Sequence, residues 1–249
     1  MTTLWDTVRE LRGRRTDERE LLDAETLDPR ELRANLRELA RLNRLPGGVW
    51  ASIHGIESLT GDGGQVSVLD VGTGGGDMPI AFVRHARARG RRWIVVAAEP
   101  RPEILELARR RVRSEPAITV EPADARQLPF ADRSFDVAHA SLLLHHLDRG
   151  RAIEALSEMA RVAREGVVIN DLQRGPLHYA VTAAVVLGLT QSRYSRHDGL
   201  VSARRAYTLD ERHDLIEAAG LRVAWQSSRL APRVATAAVP RRHRAERAT

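Results

Sequence analysis

The segment Val68-Leu69-Asp70-Val71-Gly72-Thr73-Gly74-Gly75-Gly76-Asp77 limits what this chain can fold into more than any other. An apolar strand runs into a glycine loop, and a helical run follows. Glycine lets a backbone turn sharply and come close to a ligand where a Cβ would intrude. The spacing is GxGxG, and Asp77 stands where a dinucleotide fingerprint wants its third glycine, which disfavours NAD. No GK[ST] follows, so a phosphate-cradling loop is excluded. Among common ligands, an adenosine bearing an amino-acid tail in place of a pyrophosphate remains.

Two carboxylates downstream support that ligand. Glu99 ends the next apolar run, roughly twenty residues after the glycines, where an acid can accept both hydroxyls of a ribose. Asp124-Ala125 lies just beyond the following run. An acid there can accept an adenine amino group while a backbone N–H meets a ring nitrogen. Taken singly, these are a tight turn, a solvated strand end and a turn cap. Their shared order and spacing point to one cofactor site.

The rest of the chain frames that site. Residues 66–71, 93–98, 118–121, 135–140 and 167–170 read as strands, separated by helices running to about 89, over 102–113 and over 153–164. Such alternation predicts right-handed crossovers and a parallel sheet covered on both faces. Thr208 caps a later helix that Gly220 ends, and strands are expected at 221–225 and 234–239. The first sixty residues read as helical: Asp28 and Pro29 are a start signal, and Leu32, Leu36, Leu39 and Leu42 recur at helical spacing. Pro46-Gly47-Gly48 breaks that helix, a second runs toward Leu59, and Gly61-Asp62-Gly63-Gly64 is a boundary turn. The expected organisation is a helical cap over 1–60, an α/β domain over 61–239 with an acceptor-covering insertion at about 172–207, and a basic, mobile tail over 240–249.

Composition narrows the partners. The chain has 249 residues, a net charge of +6 and no cysteine, so disulfides and thiolate metal sites are excluded and no metal site is expected. All 39 basic residues are arginine, interleaved with acids, and aromatics make up only 4%. A nucleic-acid surface needs clustered charge with stacking rings, so no nucleic-acid partner is expected. The charged N-terminal stretch lacks the apolar centre of a signal peptide. The most apolar stretch, 177–190, falls short of the ~20 residues that cross a bilayer. A cytoplasmic protein without a transmembrane segment is expected.

The series LDVGTGGGD, AAEP, DARQLPF, SFDVAHASLLLHHL and VVINDL resembles the class I S-adenosylmethionine (SAM)-dependent methyltransferases. The closest variety is the bacterial group similar to ubiquinone and menaquinone C-methyltransferases and to O-methyltransferases of phenolic polyketides. The resemblance covers 66–170 with specific motifs and 208–238 more loosely. It implies a Rossmann-like α/β fold: a seven-stranded, mostly parallel sheet with helices on both faces and its last strand antiparallel. It further implies that Asp70, Gly72, Gly74 and Gly76 line the methionine side of SAM, Glu99 the ribose, and Asp124 and Ala125 the adenine. Asp77 and Ser141 join them as expected cofactor contacts. Glu99 is often an aspartate in such proteins, and Pro100 after it is unusual.

Methyl transfer from a sulfonium is an in-line displacement, so the protein must chiefly hold nucleophile, carbon and sulfur in line. A hydroxyl acceptor also needs a base. The candidates are His145 and His146 after the fourth strand, Asp171 after the fifth, and Arg196 and His197 in a lid-like stretch. Each has a plainer alternative, such as packing, helix capping or a surface salt bridge. The expected partner is a small, apolar, aromatic acceptor, with O-methylation favoured over C-methylation and a homodimer left open. The rivals are a nucleic-acid methyltransferase, of which the kind acting on exocyclic base nitrogens is disfavoured because Ala140-Ser141-Leu142-Leu143 stands where a [DNS]PP[YFW] motif would while RNA methylation stays open, and a SAM-binding sensor without chemistry.

Overall fold

The strand signals become one seven-stranded sheet in the computed structural model, which describes residues 11, 13, 15–24 and 26–241. Its strands are β1 (Gln65–Val71), β2 (Arg92–Ala98), β3 (Ile118–Glu121), β4 (Phe135–Ser141), β5 (Ala163–Leu172), β6 (Leu221–Gln226) and β7 (Arg233–Pro240). The order is β3-β2-β1-β4-β5-β7-β6. Every pairing is parallel except those of β7, which runs antiparallel to both β5 and β6. The expected basic tail lies, from residue 242 onward, outside the described residues.

The sheet's central strands are apolar on both sides because helices cover both. Val66 and Val68 of β1 face one layer, and Leu69 and Val71 face the other. The first layer holds α2 (Val49–Thr60), α3 (Asp77–Ala88) and α4 (Pro102–Val112), through Ile56, Phe82 and Leu105. The second holds α5 (Arg149–Val162) and α8 (Leu209–Ala218), through Leu156, Leu215 and Ile216. The stretch expected as a cap over 1–60 therefore divides in two. Its second helix, α2, coats the sheet so closely that a Cβ on Gly55 would lie 2.8 Å from Val168.

The other half covers the carboxyl ends of the strands. It is α1 (Pro29–Leu42), which forms this cover together with α6 (Pro176–Leu189) and α7 (Arg193–Arg205). Asp28 caps α1 by accepting the Arg30 and Glu31 amides, with Pro29 at the first helical position, as its sequence signals. Helix α6 is apolar nearly all round. Val186 faces inward, while Leu177, Leu187 and Leu189 stay exposed. No helix among the described residues is long and apolar enough to cross a membrane.

Three boundaries differ from expectation. Helix α5 starts at Arg149, four residues early, because Asp148 caps it by accepting the Arg151 amide. It passes into β5 without a loop, so that strand spans Ala163–Leu172 in place of 167–170. The lid-like stretch around Arg196 is part of a helix, α7.

Candidate active site

The sheet order reverses beside β1, between β2 and β4, and a ligand crevice opens outside the carboxyl ends of such strands. Here the crevice encloses about 320 Å3. Asp70, Gly72, Gly74, Asp77, Glu99 and Ser141 line it, as do Thr73, Gly75, Arg101 and Leu142, which sequence reasoning did not single out. The loop is pinned at its start, where the Gly72 and Thr73 amides donate to the Ala98 carbonyl of β2. Gly74 has φ +55°, and a Cβ there would meet nothing nearer than Leu36 at 3.9 Å. Glycine at this position keeps the crevice wall free of a side chain.

Glu99 is buried, with one oxygen accepting from the Gly74 amide at 3.0 Å and the other from the Arg101 amide at 3.2 Å. Burial pushes its carboxyl above the ordinary range, against those two hydrogen bonds. Burial likewise raises the Asp77 carboxyl, against the Asn43 side-chain amide that donates to it at 2.8 Å.

Three expected cofactor contacts lie elsewhere. Gly76 opens α3 with its α-carbon turned to α4, where a Cβ would meet Val112 at 3.1 Å, so its smallness serves helix packing. Asp124 is taken by Arg126, whose Nε and terminal nitrogen donate to its two oxygens at 3.0 and 2.6 Å. That pairing holds its carboxyl below the usual range. Ala125 is buried in the apolar core of the second layer. Neither residue lines the crevice.

Behind the crevice runs a buried polar chain. Asp70 meets His139 Nδ1 at 2.6 Å with one oxygen and accepts from the Thr73 hydroxyl at 2.6 Å with the other. His139 Nε2 lies 2.8 Å from the Ser52 hydroxyl, which accepts from the Asn170 amide at 2.8 Å. Asn170 in turn accepts from Arg233 Nε at 2.9 Å. The remaining Arg233 nitrogens donate to Asn43 and Ser141. The chain thus leads from β1 through β4, α2, β5 and β7 to the C-terminal cap of α1, and returns through Asn43 to Asp77. Burial lowers the Arg233 guanidinium to about 10, against the attraction of Asp171 and Asp77.

A second cavity of about 470 Å3 adjoins the crevice, and the two share Leu22, Leu39, Asn43, Leu142 and His146. Its walls are apolar, from Leu42 and Leu45 on one side to Val185, Val186 and Leu189 of α6 on the other. One end is polar, where His145, His146 and Glu20 meet. His145 Nδ1 lies 2.7 Å from Asp171, which also accepts the His145 and Leu172 amides. Burial raises the Asp171 carboxyl, but the charge and hydrogen bond of His145, with Arg212 and the Leu172 amide, outweigh it and hold the carboxyl well below the usual range. Glu20, which sequence reasoning missed, faces both histidines and is pushed up to about 7 by burial, partly offset by His146, Ser202 and Arg205.

Arg196 and His197 do not line either cavity. On α7 it is Ser195, Asp198 and Ser202 that turn inward. Arg196, at about 100° from Ser195 around the helix axis, is exposed and donates to the Thr190 carbonyl beyond the end of α6. His197 pairs with Asp198 at 2.9 Å and faces Glu18 at 3.6 Å. Arg196 thus secures a helix end, and His197 meets the buried Asp198.

This arrangement, a glycine loop and a buried acid at the reversal point of a 3-2-1-4-5-7-6 sheet, defines a Rossmann-like α/β fold. Residues 68–166 match the family described as "Methyltransferase domain". The chain is 32% identical over 139 residues to the ubiquinone/menaquinone biosynthesis C-methyltransferase UbiE of Bdellovibrio bacteriovorus, covering 55% of this chain and 57% of that protein. It is 37% identical over 161 residues to methyltransferase GfsG of Streptomyces halstedii, covering 62% and 52% respectively. The match thus spans a little over half the length of these relatives. Among solved structures, human N-acetylserotonin methyltransferase in complex with SAM superposes with a TM-score of 0.65 at 18% identity, over 95% of this chain and 65% of that one. Over residues 68–166 the chain is thus similar to methyltransferase domains, the class that its motifs resemble.

Proposed function

We propose that this chain transfers a methyl group from SAM to a hydroxyl of a small, apolar, aromatic acceptor held beneath α6 and α7. The observation that carries the reading is the meeting of the two cavities: a crevice with a glycine loop and a buried acid opens onto an apolar chamber whose one polar end holds His145. When bound, SAM supplies a methyl group on a positively charged sulfur. Glu99 offers two carboxylate oxygens to a ribose diol, and the loop of residues 72–75, bare of large side chains, leaves room for the amino-acid end. Asp171 fixes His145 Nδ1, which leaves Nε2 on the cavity side to accept the acceptor's proton. The apolar walls shed water and orient a ring. Asn35, also on that wall, has a buried side-chain oxygen without a partner among the described residues, and a polar substituent of the acceptor would satisfy it.

A second reading, C-methylation of a quinol-like ring, is favoured by the name of the UbiE relative. The same base would then remove the ring proton after transfer.

Thermal melting with SAM, S-adenosylhomocysteine and NAD tests the cofactor half. A ligand at 100 times its Kd adds about 2.7 kcal/mol, and stabilisation is expected from the first two alone, with its loss in Glu99→Ala. A mass-spectrometric screen of phenols and quinols with labelled SAM tests the other half. Stabilisation by SAM with no acceptor methylated would favour a sensor.

A further inference from the structure

We propose that Glu20, His145 and His146 bind one divalent transition-metal ion, such as zinc, cobalt(II) or iron(II), at the polar end of the acceptor cavity. His145 Nε2 lies 3.7 Å from one Glu20 oxygen, and His146 Nε2 lies 3.7 Å from the other. One donor atom from each residue falls within 4.8 Å of the rest. A separation of 3.7 Å is too long for a hydrogen bond. It is close to the ~3.4 Å between ligand atoms held 2.0–2.1 Å from a tetrahedral ion.

The outer partners carry the inference further. His145 Nδ1 meets Asp171 at 2.7 Å, and His146 Nδ1 faces Asp23 at 3.3 Å. A metal-binding histidine characteristically turns its other nitrogen to a carboxylate, which fixes the tautomer and makes the ligating nitrogen more basic. Two neighbouring histidines do this here with two different carboxylates, and both remaining nitrogens converge on a third. Arg205, 3.8 Å from Glu20, is already paired with Asp23, and Ser202 donates to Glu20 at 2.9 Å. Imidazole and carboxylate donors select zinc, iron or cobalt over calcium. Three protein ligands with a fourth position open to a cavity are the pattern of a catalytic ion, not a structural one. Sequence spacing carries no sign of this site, because Glu20 stands far from the histidines along the chain.

Binding of the ion is independent of the reading above; its use rests on it. The acceptor oxygen coordinates the ion, which lowers its pKa, and the hydroxyl proton passes to solvent. An oxygen electron pair then bonds to the methyl carbon as the carbon–sulfur bond breaks, its pair remaining on sulfur. With the ion in place, His145 is a ligand and no longer a free base.

The full chain, stripped with a chelator and dialysed, is titrated with Co2+ while visible absorption is recorded. One equivalent per chain is expected, with the d–d bands of a four- or five-coordinate ion. Glu20→Gln and His146→Ala should each weaken binding at least tenfold, and Asp171→Asn by about 10- to 100-fold, while Glu20→Gln keeps the thermal shift with SAM. Absence of saturable binding, or binding indifferent to these substitutions, overturns the site. A stripped chain that binds no Co2+ yet methylates a phenol overturns the site alone, and one that binds Co2+ but methylates nothing overturns the methyl-transfer reading alone. Equal turnover with and without the ion overturns its use on the acceptor.

Discussion

Asp70 works on two sides at once. One oxygen ties the glycine loop to β1 through Thr73, and the other anchors His139 in the interior. His139 is fully buried between Asp70, Ser52 and the edge of the Phe82 ring. His139→Ala leaves two buried polar atoms unpaired and a void beside them, so a loss of about 3–5 kcal/mol is expected, read as a lower urea midpoint at unchanged slope. Glu99 was legible in the sequence because it ends the apolar run after the glycines, and Asp70 because the motif that holds it resembles a known family. His139, Asn43 and Arg233 were not, because contact between β4, β7 and the end of α1 is what singles them out. Gly76 was misplaced since packing and ligand approach impose the same residue.

Helix α7 shows why an element can escape notice. Three of its five buried residues, Ser195, Asp198 and Ser202, are polar and only Val201 and Ala203 are apolar, so no apolar stripe marks it. The partners the polar three satisfy lie far along the chain. Asp198 accepts the Leu21 and Leu22 amides at 2.7 and 3.1 Å, Ser195 accepts from Asn35, and Ser202 donates to Glu20. Glu38 of α1 completes the join by accepting the Gln191 and Ser192 amides. Asp198→Ala should speed hydrogen exchange at Leu21 and Leu22 by tenfold or more while β1 and β4 keep their protection. Unchanged exchange would mean that this segment is held by something other than Asp198. The sheet and its flanking helices were legible because their periodicity is written in Val, Leu and Ile, whose burial the sequence displays directly.

The molecule combines two kinds of cohesion. The sheet and its coating helices pack through two large apolar clusters, whereas α1, α7 and the segment before them are joined by hydrogen bonds and ion pairs beside one small apolar cluster that sets Leu22, Leu27, Leu32 and Leu36 against Ile104. Native-state hydrogen exchange in increasing urea should therefore resolve two units, with the cover opening at lower free energy and a smaller slope than the sheet. A single opening free energy for both would contradict this division. An apolar join exposes greasy surface when parted, whereas one built of amides, hydroxyls and carboxylates trades each partner for water at little net loss. The roof over the chamber can thus lift and be rewetted while the floor stays intact. An oily guest of the proposed kind would enter and leave through a door whose faces are themselves at home in water.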